Sequence, residues 1–275
     1  MLAKAGQSQQ VRSSLALAEV SLNTAVAALE TLGAIGRMDL AVALIDLGNL
    51  QRELGRPSEA EETLLRALAI FEADDPRSGG DATARTYLGI VLTDLERYHE
   101  AELSHLLAID IKEHLFTRES LEVSASLTNL AVVQQGLGQI KMAEASLLEA
   151  LAIQRRLCGP SSIRIAGTLG GLGVVQAKLG RLDEAIATLR GALSIEEAVH
   201  KGDHLQVAVT SGNLGRALQE QGCLDAAVSH VQRALEIFTN VLGPEHPHTK
   251  QAAEQYRSIV SAHPPVQCWE DGLGR

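Results

Sequence analysis

Small residues recur along the chain with a period of 41 or 42, between stretches in which apolar and polar positions follow helical spacing. One register consists of five alanines: Ala60, Ala101, Ala143, Ala185 and Ala227. A second register lies twelve residues earlier: Gly48, Gly89, Ala131, Gly173 and Gly215. A third lies seven residues later: Ala67, Ala108, Ala150, Ala192 and Ala234. Small side chains at fixed points allow two helix backbones to approach closely, so the pattern predicts an all-α solenoid of stacked helical hairpins.

Each period contains two helical segments separated by a short turn. Four of the turns carry a glycine typical of a helix C-terminus: Leu54-Gly55, Leu137-Gly138, Leu179-Gly180 and Gln221-Gly222. We predict paired helices at residues 39–54 and 57–73, 81–95 and 98–114, 120–137 and 140–157, 161–179 and 182–199, and 203–221 and 224–241. The second period has Leu95-Glu96 instead of Leu-Gly and is one residue shorter, which predicts a tighter or frayed turn.

The period divides the chain into a central array and two ends. Five complete repeats occupy residues 39–245. Within residues 1–38, the segment 10–33 is in phase with the second helix of each repeat, so we expect a degenerate N-terminal capping helix there. At the other end we expect a C-terminal capping helix over residues 246–263 and a disordered tail over residues 264–275.

Composition excludes several classes of protein. Hydrophobic residues make up 45% of the chain but aromatic residues only 3%, which is typical of close-packed helices of Leu, Ala, Ile and Val. The net charge of −10 argues against binding to nucleic acid or to an anionic membrane. The cysteines Cys158, Cys223 and Cys268 form no Cys-x-x-Cys pair and are interpreted as free thiols. The sequence also lacks a signal peptide and an apolar run of about 18 residues, so we expect a cytoplasmic protein.

The sequence offers no catalytic or metal-binding pattern with suitable spacing. His99-Glu100 is followed by His105, but the second histidine comes six residues after the first instead of four, so the two imidazoles do not share one helix face. His200 and His204 are four residues apart but straddle the loop-forming Lys201-Gly202-Asp203. No Ser-His-Asp or Cys-His arrangement is recognisable. We therefore expect a protein that is not an enzyme and that has no metal or other cofactor.

Several residues of the first repeat resemble the tetratricopeptide repeat in its long, 42-residue form: Leu47-Gly48, Leu54-Gly55, Glu59-Ala60, Leu64 and Arg66-Ala67-Leu68. The resemblance extends over roughly residues 10–262. Two linkers resemble those of kinesin-light-chain-type repeats: Leu157-Cys158-Gly159-Pro160 and Leu242-Gly243-Pro244-Glu245-His246-Pro247. HEAT and armadillo repeats have similar periods, but the Leu-Gly turn and the Glu-Ala restart favour tetratricopeptide repeats. The resemblance implies a right-handed superhelix in which the first helix of each pair lines a concave groove.

Family members are chiefly adaptors that hold a peptide in this groove, and their first helices carry an Asn before a Leu, as in Asn129-Leu130 and Asn213-Leu214. Helical spacing places aliphatic residues on the concave face: Ile45, Ile90, Val132 and Val174. The candidate partner-binding residues are polar or aromatic: Asn49, Arg52, Tyr87, Asn129, Gln135, Lys178, Asn213, Arg216 and Gln219.

We therefore expect a non-catalytic interaction scaffold or adaptor, monomeric or weakly dimeric, that binds a partner peptide or protein segment in the groove. The alternatives are a self-associating structural array and the regulatory repeat region of a larger signalling protein.

Overall fold

The computed structural model describes residues 2–262, with side chains from residue 14 onward. These residues form twelve α-helices and a short 3-10 helix at Gly33–Gly36, and they contain no β-strand. The helices are α1 (Leu2–Thr31), α2 (Arg37–Glu53), α3 (Pro57–Asp74), α4 (Gly79–Asp94), α5 (Tyr98–Phe116), α6 (Leu121–Gly136), α7 (Ile140–Cys158), α8 (Ile163–Lys178), α9 (Leu182–Val199), α10 (Leu205–Glu220), α11 (Leu224–Leu242) and α12 (Pro247–Ala262). The predicted pairs agree with α2–α11 to within two residues at every end.

Consecutive helices pack in pairs, and the pairs stack in chain order. The first helices of neighbouring pairs (α2, α4, α6, α8 and α10) also contact one another, and α10 contacts α12. The Cα atoms of second helices in neighbouring pairs (α3, α5, α7, α9 and α11) do not come within 8 Å of each other. The array therefore curves with its first helices on the inner, concave side. The prediction of an all-α solenoid is confirmed.

The two ends of the array are helical. α1 begins eight residues before the helix predicted at residues 10–33, and it packs against α2. α12 packs against α11 in the region where we expected a C-terminal capping helix. The tail predicted at residues 264–275 lies outside the described residues. The assignment of residues 39–245 to five repeats remains our proposal for the extent of the array.

The small-residue registers mark the closest approach of the two helices in each pair. All five alanines of the first register are fully buried. A Cβ atom placed on Gly48 would lie 2.8 Å from Cγ of Leu64, and one placed on Gly173 would lie 2.5 Å from Cγ of Leu189. Real Cβ atoms do not approach other carbons so closely. The glycines therefore allow the first helix to rest directly on a large side chain of the second helix.

Two glycines of α8 allow a matched test of this close approach. Gly173→Ala should lower the free energy of unfolding by about 1–3 kcal/mol, because the added methyl group overpacks the contact with fully buried Leu189. Gly167→Ala should raise it by about 0.5–1 kcal/mol, because Gly167 is exposed, has no neighbour within 4 Å of the added atom and lies inside a helix. Urea unfolding measures both values. Equal effects of the two substitutions would contradict the close-approach role of Gly173.

The turn of the second repeat is neither tighter nor frayed, so that prediction was wrong. The amides of Glu96 and Arg97 donate to the carbonyls of Thr93 and Leu92, with N···O distances of 3.0 and 2.9 Å. The other four turns have the same pair of backbone hydrogen bonds. Glu96 reaches this geometry with a φ of 59°, where the first turn has Gly55 at 77°. The backbone of Glu96 therefore adopts the left-handed conformation that this turn requires.

The residue missing from this period belongs to the link between α3 and α4. Ala67 and Gly89 are 22 residues apart, whereas Ala108 and Ala131 are 23 apart. The shorter link brings Gly80, at the start of α4, onto the ring of Phe71 in α3. The deletion is therefore absorbed between repeats, and the hairpin turn keeps its length.

Glu96→Gly should raise the free energy of unfolding by about 1 kcal/mol, because glycine adopts a positive φ without the steric cost that a Cβ atom imposes. Urea unfolding measures the change. Glu100→Gly is the matched control. It places glycine in the first turn of α5, and we expect it to be neutral or destabilising. A destabilised Glu96→Gly variant would contradict the strain assigned to this turn.

Candidate functional site

The candidate residues lie on the first helices, which form the concave surface. Tyr87 is on α4, Asn129 and Gln135 are on α6, and all three side chains are half-buried. The other candidates divide by exposure into half-buried Asn49, Arg52, Asn213 and Gln219 and exposed Lys178 and Arg216. Ile45 is a correction to the predicted lining, because only 5% of its surface is exposed and it belongs to the hydrophobic core. Val132 remains 51% exposed.

Two polar contacts link candidate residues to side chains on the neighbouring first helix. Nη1 of Arg52 lies 3.4 Å from Oδ2 of Asp94. Nζ of Lys178 donates to Oε1 of Gln135 over 3.1 Å. Each contact links residues 42 or 43 positions apart in sequence, one more than the local period, so the repeat places side chains of successive first helices beside one another along the concave surface.

Part of this surface has unused hydrogen-bonding capacity. Nδ2 of Asn49 donates to Oε1 of Glu53 over 3.3 Å, but its Oδ1 atom is buried and has no partner. Nε of Arg52 is also buried without an acceptor. Buried polar atoms are normally paired, so these atoms are available to a ligand or to water.

Two adjoining pockets occupy the C-terminal end of the concave surface. A pocket of about 230 Å³ lies between α8 and α10, and its lining includes Lys178 and Glu220. A second pocket of about 240 Å³ lies among α10, α11 and α12. Asn213 and Arg216 line both pockets. These two residues and Lys178 are therefore the predicted candidates that the structure brings together around a cavity.

Sequence reasoning missed the contribution of α12 to this surface. His248, Gln251 and Gln255 line the second pocket, although we had predicted only a cap for this segment. Their spacing of three and four residues places them on one helix face. That polar face was the available signal in the sequence.

Buried polar pairs connect each middle repeat to the next, beneath the concave surface. Nζ of Lys112 donates to Oγ of Ser126 over 2.8 Å and to Oγ1 of Thr86 over 3.0 Å. The equivalent pairs are Gln154 with Thr168 at 2.9 Å and Glu196 with Thr210 at 3.0 Å. Burial lowers the pKa of Lys112 and raises the pKa of Glu196. Each pair helps to hold the second helix of one repeat to the first helix of the next.

His105 is a buried titratable group that sequence reasoning did not place. It packs its ring against Gly89, only 1% of its surface is exposed, and its Nδ1 atom has no partner. The equivalent positions in the other repeats are aliphatic: Leu64, Leu147, Leu189 and Val231. Burial, together with the nearby charge of Lys112, lowers the pKa of His105 to about 4.

The stability of the protein should therefore fall in mild acid. The unfolded chain binds a proton at this imidazole below pH 6.5, whereas the folded chain binds it only near pH 4, so the free energy of unfolding decreases as the pH falls across this window. His105 should account for up to about 3 kcal/mol of the decrease. His105→Leu should remove this contribution, because leucine occupies the equivalent position over Gly48.

Urea unfolding at several pH values between 7 and 4 measures the effect. His99→Leu, on the exposed face of the same helix, is the matched control and should keep the parent's pH dependence. If His105→Leu lost as much stability in acid as the parent, the buried imidazole would not be responsible.

The described residues contain no group of three or more His, Cys, Asp or Glu side chains arranged to hold a metal ion. The rings of His200 and His204 stack with their centroids 3.4 Å apart. Cys158 and Cys223 are free thiols. None of the described helices combines the length and the apolar character needed to cross a membrane.

Comparisons with known proteins identify the repeat. Two family models described as tetratricopeptide repeat match the chain, one over residues 81–156, 164–222 and 212–256 and the other over residues 43–76. Together the matched segments cover well over half of the sequence. A comparison with curated protein sequences gave no significant match.

Solved structures share the fold. BtubC (BKLC) from P. vanneervenii is 25% identical, with a TM-score of 0.68 over 85% of this chain and 94% of that chain. A putative kinesin light chain from Podosopora anserina, with nearly identical TPR-like repeats, is 20% identical, with a TM-score of 0.60 over 74% of this chain and 96% of that chain. A Rap protein solved in complex with competence and sporulation factor is 16% identical, with a TM-score of 0.63 over 94% of this chain and 72% of that chain.

Proposed function

Because the chain belongs to the tetratricopeptide repeat family, and its repeats are of the 42-residue kinesin-light-chain-like type, we propose that it is a non-catalytic scaffold or adaptor. Its ligand is a peptide or protein segment of a partner, bound in an extended form along the concave surface of α2, α4, α6, α8 and α10. The observation that carries this proposal is a concave surface with two pockets and with buried polar atoms that have no partner among the described residues.

The chemistry of the surface suits an extended segment. Such a segment presents backbone N–H and C=O groups that need partners once they are removed from water. Carboxamides both donate and accept, and the surface provides five of them: Asn49, Asn129, Gln135, Asn213 and Gln219. Tyr87 and Val132 add apolar area to this surface. The Rap protein in the comparison was solved with a bound factor, which is consistent with ligand binding by this fold.

The remaining features favour a protein partner in the cytoplasm. The net charge of −10 disfavours the phosphate backbone of nucleic acids and the surface of anionic membranes. The free thiols of Cys158 and Cys223 are consistent with a reducing compartment. We propose a monomer or a weak homodimer, with no catalytic activity and no cofactor.

One observation favours self-association as a second candidate function. Leucines on the outer surface of three consecutive second helices are about half exposed: Leu65, Leu103, Leu106 and Leu148. The equivalent positions in the last two repeats are polar, as in Arg190 and Gln232. Exposed apolar patches often mark interfaces, so a second copy of the chain could cover this surface. Sedimentation velocity over a range of concentrations separates the two functions, because the adaptor remains a monomer or a weak dimer, whereas a self-associating array forms larger assemblies as the concentration rises.

Groove binding is tested with peptides selected from a random phage-displayed library on the full chain. The double substitution Asn129→Ala with Asn213→Ala should weaken binding of a selected peptide at least about tenfold, because two hydrogen bonds to the segment are lost. Fluorescence anisotropy measures the affinity.

Ser229→Ala with Gln232→Ala is the matched control on the exposed outer face of α11, and it should leave the affinity unchanged. The proposal is wrong if the groove substitutions leave the affinity for the selected peptides unchanged and the outer-face substitutions weaken it.

A further inference from the structure

We propose that helices α10–α12 form a pH-sensitive end of the array, which opens in mild acid while the preceding repeats stay folded. The device consists of two histidines that cap the N-termini of α10 and α12. It is independent of any ligand, because it depends only on hydrogen bonds and charges within the chain.

One position, repeated every 42 residues, caps the first helices from α4 onward. A hydroxyl occupies it three times, in Ser78, Ser120 and Ser162. Each of these serines accepts a hydrogen bond from an amide in the first turn of its helix. His204 and His246 occupy the same position before α10 and α12. The cap is therefore a hydroxyl in the earlier repeats and an imidazole at the C-terminal end.

Both imidazoles act as hydrogen-bond acceptors. Nδ1 of His204 accepts from the amide of Gln206, with an N···N distance of 3.3 Å. Nδ1 of His246 accepts in the same way from the amide of His248, over 3.2 Å. A ring nitrogen that accepts a hydrogen bond cannot carry a proton, so both contacts require an unprotonated Nδ1. Protonation removes the acceptor and places a cation beside the positive end of the helix dipole, whereas a serine cap is unaffected.

A second histidine lies beside each cap. The rings of His200 and His204 stack with their centroids 3.4 Å apart. The ring centroids of His246 and His248 are 5.3 Å apart. Burial lowers the pKa of His204 and of His246 below the ordinary value of 6.5, and the neighbouring imidazole adds to this effect in each case. Protonation is therefore less favourable in the folded segment than in the opened one.

Charged groups from several elements surround these four histidines. From α9, the link that follows it, α10, the next link and α12 they are Glu196, Lys201, Asp203, Arg216, Glu245 and Lys250. From α11, Asn240 donates to Asp203 and the ring of Phe238 stacks on His248, and neither of these α11 side chains titrates.

Two other titratable groups at this end could influence the response. Burial raises the pKa of Glu196, so protonation of that carboxyl favours the folded state in acid and opposes the opening. Burial lowers the pKa of His230 on α11, so this histidine acts in the same direction as the caps. His230 therefore supplies the control for the test.

The C-terminal end can open separately because a repeat array loses structure from its ends more easily than from its middle. Among the described helices, α12 contacts only α10 and α11. The opened segment binds protons at His204 and His246 below pH 6.5, whereas the folded segment binds them only at lower pH. The free energy of opening therefore decreases as the pH falls below 6.5.

Native-state hydrogen exchange on the full chain, corrected for the pH dependence of the intrinsic exchange rate, measures the opening of α10–α12 at pH 7 and pH 5. The opening constant should rise at least about tenfold in the parent, because the loss of each cap contributes about a factor of five. The double substitution His204→Ser with His246→Ser installs the cap of the earlier repeats. It should leave opening at pH 7 within about twofold of the parent and limit the rise at pH 5 to about threefold.

His230→Gln is the matched control, because it removes a half-buried histidine from the same segment and leaves both caps in place. This variant should keep the rise of the parent. The proposal is wrong if the double serine variant opens in acid as much as the parent, or if His230→Gln abolishes the rise. It is also wrong if the amides of α4–α6 open as readily as those of α10–α12 at pH 5, because the response would then be global.

Discussion

The fold depends on the close contact between the two helices of each pair. At this contact a glycine or alanine of the first helix faces a large side chain of the second helix sixteen residues later, as Gly48 faces Leu64 and Gly173 faces Leu189. The absence of a bulky side chain at this point allows the two helices to pack directly on each other. Because each repeat buries its apolar surface only on adjacent repeats, the same contact must recur in every one.

The curvature and the binding surface follow from this repeated contact. First helices touch their counterparts in the next repeat, whereas second helices do not, so the array bends toward the first helices. Side chains about one period apart in sequence then lie side by side, as the pairs of Arg52 with Asp94 and Gln135 with Lys178 show. A long polar surface therefore results from one helix contact that recurs in every repeat, and each repeat contributes its own side chains to this surface. Specificity for a ligand can therefore vary along the groove while the architecture stays constant.

Much of the fold could be predicted because its determinants are local in sequence. The spacing of small residues and the glycine turns located ten helices to within two residues. Glu96 shows the limit of that reasoning, since two backbone hydrogen bonds and the packed helices on either side impose a turn that its residue type disfavours. Ile45 shows another, because helical spacing cannot separate the edge of the concave face from the core beside it.

The candidate site was less predictable because its parts come from elements that are distant in the sequence. Helical spacing placed Asn213 and Arg216 on the concave face. The cavity that they line is completed by Gln255, which lies two helices later in the sequence, on α12. His105 also escaped prediction, since a histidine in a helical pattern carries no sign that it will replace a buried leucine over a glycine. Both features depend on packing between helices, which sequence periodicity specifies only on average.

The central claim is that the concave surface of the first helices holds the partner. Photo-crosslinking tests it most directly, with a selected peptide that carries a photoreactive residue and mass spectrometry to locate the attachment sites on the chain. The account predicts attachment to the inner faces of α2, α4, α6, α8 and α10, with α12 reached from one end of the peptide. Attachment mainly to the outer faces of α3, α5 and α7, around Leu65, Leu106 and Leu148, would contradict it.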